Sequence, residues 1–257
     1  MMPTFKKSKL YLPLKVGVVA LILLVSIGFA ERKQDDMLCQ QIIMDIDRQW
    51  QNHFVDEADL LAFITNNGQQ ALVGKPLNSI DLKAIEVQLL QHPYIDRAEV
   101  YKDLLGNLTA SVRQVRPMAR LLVPGHADRY IDREGLLLPF SSRYTPRVML
   151  VSGSYVNGLL QREAMETDDD KALLQLIQYI DQDELLRAQI AELEVNNSGT
   201  VVLHQQVGKQ YIQFGKAESI DEKFEKLRLF YKQILPRQGW NTYTRVDLRY
   251  KEQIICE

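Results

Sequence analysis

From Leu10 to Ala30 apolar residues follow one another with a single charge, Lys15, near the start. As a helix this run would measure about 31 Å, which matches a bilayer's hydrocarbon core. Lys15 sits where its stem can reach the headgroups. Two readings are open: an uncleaved anchor over residues 16–30, or a cleaved signal peptide with Gly28-Phe29-Ala30 as its cleavage site. Both export everything that follows. Lys6, Lys7, Lys9 and Lys15 precede the run with no acid among them, so the amino terminus is expected on the cytoplasmic side.

After residue 30 the pattern changes period. Leu38, Ile42, Ile43 and Ile46 suggest a juxtamembrane helix or linker over 31–50. A short strand is expected at His53–Val55. Asp56 is a candidate N-cap for a helix with Leu60, Leu61, Phe63 and Ile64 on one face, ended by Asn67-Gly68. Ser79 or Asp81 opens a second helix carrying Leu82, Ile85, Leu89 and Leu90, and Pro93 stops it. Two strands follow, Ile95–Val100 and Leu108–Val115, around a turn at Leu105-Gly106-Asn107. The order is β-α-α-β-β, a small α+β unit over 51–121.

A second domain, 122–257, begins with the hairpin "RYIDREGLLLPF" and a buried-type strand at Val148–Val151. A helix follows Asp168-Asp169-Asp170, and Leu185–Leu193 suits a shorter one. "LEVNNSGTVVLH" and "KQYIQFGK" read as strands. Ser219 opens a helix with Phe224, Leu227, Tyr231 and Ile234 on one face, and Asp221 and Glu222 favour its first turn. The chain closes on Tyr243–Tyr250, where Thr244, Val246, Leu248 and Tyr250 alternate with polar residues. A terminal strand raises the question of what its outer edge pairs with.

Composition narrows the function. The net charge of −2 over 257 residues, with the lysine-rich head set apart, leaves a mildly acidic body unsuited to nucleic acid. Cys39 and Cys256 form no framework. His53, His92, His126 and His204 are scattered, and no zinc-helix, serine-elbow or phosphate-loop pattern occurs. "VSGSYVNG" has the wrong order for a nucleophilic serine. Asp168–Asp170 read as a helix cap and first turn rather than a cation site. Asn107-Leu108-Thr109 fits a glycosylation sequon. No catalysis, metal or cofactor is expected.

Three stretches carry a resemblance. "KAIEVQLLQHPYIDRAEVYKDLLGNLTASVRQVRPMARL" joins helix, His-Pro-x-Ile, strand, turn, strand and Arg-Pro. "YIDREGLLLPF" opens the second domain, and "YIQFGK", "EKFEKLRLFYKQIL" and "RVDLRY" close it. In this order and spacing they resemble the FtsQ/DivIB family of bacterial cell-division proteins. The resemblance implies an α+β protein: a cytoplasmic head (1–15), a single transmembrane helix, a polypeptide-transport-associated (POTRA) domain, then a mixed α/β domain dominated by an antiparallel sheet. It implies a non-catalytic scaffold in the cytoplasmic (inner) membrane at the septum, linking early and late division proteins. The implied partners are FtsB (DivIC) and FtsL, with others recruited through the POTRA domain.

The resemblance places the partner's segment at the carboxy-terminal strands. Tyr250, Lys251, Glu252, Gln253, Ile254 and Ile255 are the expected contacts. For Tyr250, interface and core both stand as readings. An edge at Asn107–Gln114 is a second candidate. Two other functions compete: a component of another export or assembly machine, which would continue into barrel strands, and an exported cell-wall enzyme, which would need paired carboxylates or a metal. This chain departs from the family in a very short head and in having little sequence after the last strand.

Overall fold

The computed structural model describes residues 16, 17, 19, 21, 22, 37–47, 49 and 52–257. Val16, Gly17, Val19, Leu21 and Ile22 are helical and exposed. Among the described residues no helix is long and apolar enough to cross a membrane. The expected head, most of the expected anchor and the link at 31–36 lie outside them.

The described residues divide into two compact units, those of Met1–Asp47 with Val55–Arg113 and those of Arg48–Phe54 with Gln114–Glu257. The first has the expected element order, with one substitution. Its opening strand is β1 (Ile42–Asp47), where a juxtamembrane helix was expected. Ile42, Met44 and Ile46 alternate with exposed positions, and that period of two decides the conformation over the fortuitous helical spacing of Ile42, Ile43 and Ile46. The tertiary reason is pairing: β1 runs parallel to β3 (Leu108–Gln114), with Ile42 beside Leu108 and Ile46 beside Val112.

Helix α1 (Glu57–Ile64) starts at Asp56, which forms a reciprocal capping box with Asp59. It ends as Asn66, Asn67 and Gly68 turn left-handed. Helix α2 (Leu82–Leu90) is capped by Asp81. Both helices bury leucine and isoleucine beside the sheet order β1-β3-β2, where β2 is Ile95–Lys102. The central place of β3 overturns the expectation of an open edge at Asn107–Gln114. The strand reads buried at nearly every position because neighbours cover both of its sides.

The second unit is built on one nine-stranded sheet of order β12-β11-β10-β9-β8-β7-β4-β5-β6. Its strands are β4 (Ala119–Leu121), β5 (Arg129–Ile131), β6 (Leu137–Pro139), β7 (Met149–Ser152), β8 (Ile190–Val195), β9 (Val201–Gln205), β10 (Tyr211–Gly215), β11 (Arg245–Asp247) and β12 (Ile255–Cys256). Pairs β4–β7, β7–β8 and β10–β11 are parallel, the others antiparallel. The sheet is therefore mixed. Residues 119–121, expected in the first domain, supply β4 here. The expected strand at His53–Val55 is instead an anchor for this unit: Asn52 Nδ2 donates to Val115 O, and Phe54 N donates to Gln114 Oε1.

Helices α3 (Asp168–Gln182), α4 (Glu184–Gln189) and α5 (Ile220–Leu229) pack their apolar faces into the core. The helix expected to reach Leu193 stops at Gln189 because β8 starts at Ile190. Tyr179 stacks on Phe224, which meets Phe214, joining α3, α5 and β10 through aromatic contact. Asp168–Asp170 do form the first turn of α3, under an N-cap from Thr167.

Asp170 is wholly buried and ties this region together. It accepts from Tyr155 Oη at 2.7 Å, Arg162 Nη1 at 2.5 Å and Thr167 N at 2.8 Å. Burial pushes its pKa up, but the bonds from Tyr155 and Thr167 and the Arg162 charge outweigh it and hold the carboxyl below the usual 3.8. A depressed carboxylate stabilises the fold at pH above its unfolded value and loses that contribution as pH falls through the folded value. Asp170→Asn should therefore lower unfolding stability by about 1–3 kcal/mol at pH 7. Urea denaturation should show the deficit shrinking as the pH drops below 3.8.

Candidate docking edge

A sheet of this length has two edges, and the chain treats them differently. At β6, Leu137 N donates outward to Glu163 O and Met165 N donates to Gly135 O. An isolated bridge joins Leu136 to Ala164. Pro139 has no N–H, and Arg129 hydrogen-bonds the Leu137 carbonyl. That edge is closed.

The other edge is built by the last residues. The expected strand over Tyr243–Tyr250 is shorter, only Arg245–Asp247, and it is not open on its outer side. Leu248 remains buried but leaves the ladder, and the chain reverses through Tyr250–Glu252. Glu252 takes φ +56° in that reversal. Ile255 and Cys256 then return alongside Asp247 and Val246. So β11 lies between β10 and β12, and the edge itself is β12.

The register fixes which backbone groups of β12 face outward. Glu257 N donates to Arg245 O at 3.0 Å, and Arg245 N donates to Glu257 O at 3.1 Å. Residues 245 and 257 are thus a hydrogen-bonded pair, and 246 with 256 the following non-bonded pair. Alternation turns the N–H and C=O of Cys256, and of Ile254 two residues before, away from β11. Among the described residues no strand lies beyond β12.

Side chains prepare this edge. The apolar stem of Lys226 is buried, and its Nζ donates to Leu248 O at 3.0 Å and Tyr250 O at 2.7 Å. Glu222, one helical turn away at 3.6 Å, balances its charge. Helix α5 thereby clamps the β11–β12 connection. Arg249 Nε and Nη2 grip the buried Asp247 carboxylate, with Nη2 to Oδ2 at 2.5 Å. Those bonds, more than burial opposes, hold the Asp247 pKa below the carboxylate norm. Arg249 crosses β10 over Gly215, where an added Cβ would stand 2.9 Å from its Cγ. Gly215 also needs φ +80°, so only glycine serves there without strain.

Of the expected contacts, Tyr250, Lys251, Glu252 and Gln253 lie exposed on the reversal, while Ile254 and Ile255 are half-buried. Tyr250 is 49 % exposed, so it is not a core residue. Ile254 and Cys256 pack against the core cluster. The period-two reading carried Tyr250 to the face of Leu248; the reversal after Arg249 breaks that parity. Beside the turn opens a cleft of about 710 Å³ lined by Lys216, Lys223, Lys226, Arg249 and Lys251 with Glu218 and Glu222. Sequence reasoning missed it because these cations come from the residue after β10, from α5 and from the stretch after β11. Lys223 donates to Lys216 O and lies 4.8 Å above the Phe214 ring; burial lowers its pKa. Among the described residues no cluster of His, Cys, Asp and Glu is arranged to hold a metal.

A three-stranded unit of order β-α-α-β-β, followed by this mixed sheet, defines a POTRA-bearing protein. A POTRA-like domain matches residues 37–113, and the family described as FtsQ/DivIB, C-terminal related, matches residues 116–257. This chain belongs to the FtsQ/DivIB family. It is also similar to the cell division protein FtsQ of Rhodothermus marinus, 26% identical over 188 residues, which is 71% of this chain and 67% of that relative.

Two substitutions probe the clamp. Lys226→Met should free two carbonyls while keeping the buried stem, loosening the reversal. Trypsin cleavage after Arg249 and Lys251 should accelerate several-fold at unchanged overall fold by circular dichroism. Gly215→Ala should destabilise the unit by about 1–2 kcal/mol in thermal unfolding, through its left-handed backbone and the displaced Arg249.

Proposed function

We propose that this chain is a non-catalytic scaffold of the bacterial division machinery, anchored by residues 16–30 in the cytoplasmic membrane at the septum, with the two described units outside the cytoplasm. It joins early division proteins to later ones by taking a strand from an FtsB/DivIC- or FtsL-type partner onto β12. Family membership supports the role in division. The observation that supports the docking mode is the outward row at Ile254 and Cys256 on β12, the last strand of the sheet among the described residues. Backbone bonds to such a row give affinity without sequence demand, and neighbouring side chains give selectivity.

Those neighbours describe the partner. Tyr250 offers an exposed aromatic face next to the row. The cleft beside it is rich in lysine and arginine, so an extended segment with acidic residues is favoured. In the first unit β1 is the outer strand beside β3 among the described residues, and other division proteins would be recruited on that side.

Proline tests the row at one atom. Cys256→Pro removes an outward N–H while Ile255 and Glu257 keep the groups that face β11. Co-purification with an FtsB/DivIC-type partner should fall at least tenfold while far-ultraviolet circular dichroism shows the unit still folded. Ile254→Asp should act similarly by placing a charge at the half-buried edge. Undiminished capture by both variants would refute docking at β12.

A further inference from the structure

The first unit carries an apolar tip that its own core does not need. Residues 37–41 run between two other segments. On one side Cys39 N donates to Lys75 O and Leu77 N to Met37 O, both at 2.8 Å. On the other, Gln40 N donates to Gly106 O at 2.9 Å and Leu108 N to Gln41 O at 3.0 Å. The three segments form a small platform from which Leu38, Val73, Leu104 and Leu105 project. Leu104 and Leu105 are 81 % and 76 % exposed, more than the other large apolar side chains of the described residues.

These leucines are held outward by the turn they sit on. Asp103 Oδ1 accepts from Leu105 N and Asn107 N, each at 2.8 Å, and its Oδ2 accepts from Asn107 Nδ2 at 2.6 Å. Those bonds, led by the Asn107 backbone, lower the Asp103 pKa. Gly106 has φ +91°, a backbone conformation that side chains rarely adopt, and an added Cβ would lie a tight 3.2 Å from atoms of Met37, Leu38 and Gln40. The turn leaves both leucines in solvent, where turns of this kind favour polar residues at their tips. Lys75 and Lys102 are exposed at the ends of the adjoining segments.

Chain length says what lies nearby. The apolar run ends at Ala30 and the platform begins at Met37. Seven peptide steps reach about 24 Å at full extension, and the headgroup layer takes up part of that distance. With the run in a bilayer, the tip is tethered within reach of that same surface. Exposed leucines flanked by lysines suit the boundary of headgroups and acyl chains.

We infer that the Leu38–Leu104–Leu105 platform seats on the lipid surface next to the anchor, a second membrane contact that fixes the first unit against the bilayer. The inference rests on the anchored reading of residues 16–30 made above.

The test uses the full chain reconstituted in phosphatidylcholine–phosphatidylglycerol vesicles. Leu105→Trp is placed in a chain whose Trp50 and Trp240 are replaced by Phe. Lipids brominated near the headgroup end of the acyl chain should lower its emission at least twofold, with iodide quenching weakly. Adding Leu104→Asp should reverse much of this. Alkaline carbonate extraction separates the two claims. A chain that resists extraction yet shows no lipid quenching overturns the platform and leaves the anchor standing. A chain that is extracted overturns the anchor and the platform together. Quenching that is absent from lipid, with iodide access lost only when a protein partner is added, overturns the inference in favour of a protein site.

Discussion

One short antiparallel ladder, the return of Ile255–Glu257 alongside Arg245–Asp247, sets the carboxy-terminal edge of the second unit's sheet. Without it β11 would be the edge of the sheet, with Val246 and Asp247 at a margin rather than at 0 % and 1 % exposure. With it, the edge among the described residues is β12, its inner groups are spent on β11, and alternate groups face outward. The ladder is short, so its persistence depends on neighbours: the Lys226 clamp, the Asp247–Arg249 grip, and the packing of Ile254 and Cys256 on the core.

The two ends of the nine-stranded sheet differ in how they are covered. At β6 a proline, an arginine and a crossing segment consume the exposed backbone groups. At β12 no equivalent cover is present among the described residues. The asymmetry leaves β12 as the less covered end of the sheet among the described residues, with the lysine-rich cleft beside it.

Much of this was legible in the sequence. Caps at Asp56 and Asp81, the turn before Leu108, the hairpin at Arg129–Pro139 and the helices after Thr167 and Ser219 are all written in local residue chemistry. What failed were decisions that depend on distant partners. The run Ile42–Asp47 fits a helix or a strand by period, and only parallel pairing with β3 selects the strand. Asn107–Gln114 looked like an edge because nothing local reveals that β1 covers it. The period of two predicts a closing strand continuous to Tyr250, yet the buried lysine on α5, 22 and 24 residues away in sequence, draws the Leu248 and Tyr250 carbonyls into a reversal. The expected contacts at 250–255 follow from the family pattern alone, while the backbone groups that make an edge there depend on tertiary contacts.

The most direct measurement is amide hydrogen exchange at single-residue resolution in the last strand, with and without the exported segment of an FtsB/DivIC-type partner. The account predicts that the Ile254 and Cys256 amides exchange freely in the isolated chain and become protected at least tenfold in the complex, while the Glu257 amide is protected in both. A complex that forms with the Ile254 and Cys256 amides still exchanging freely would contradict strand addition at β12.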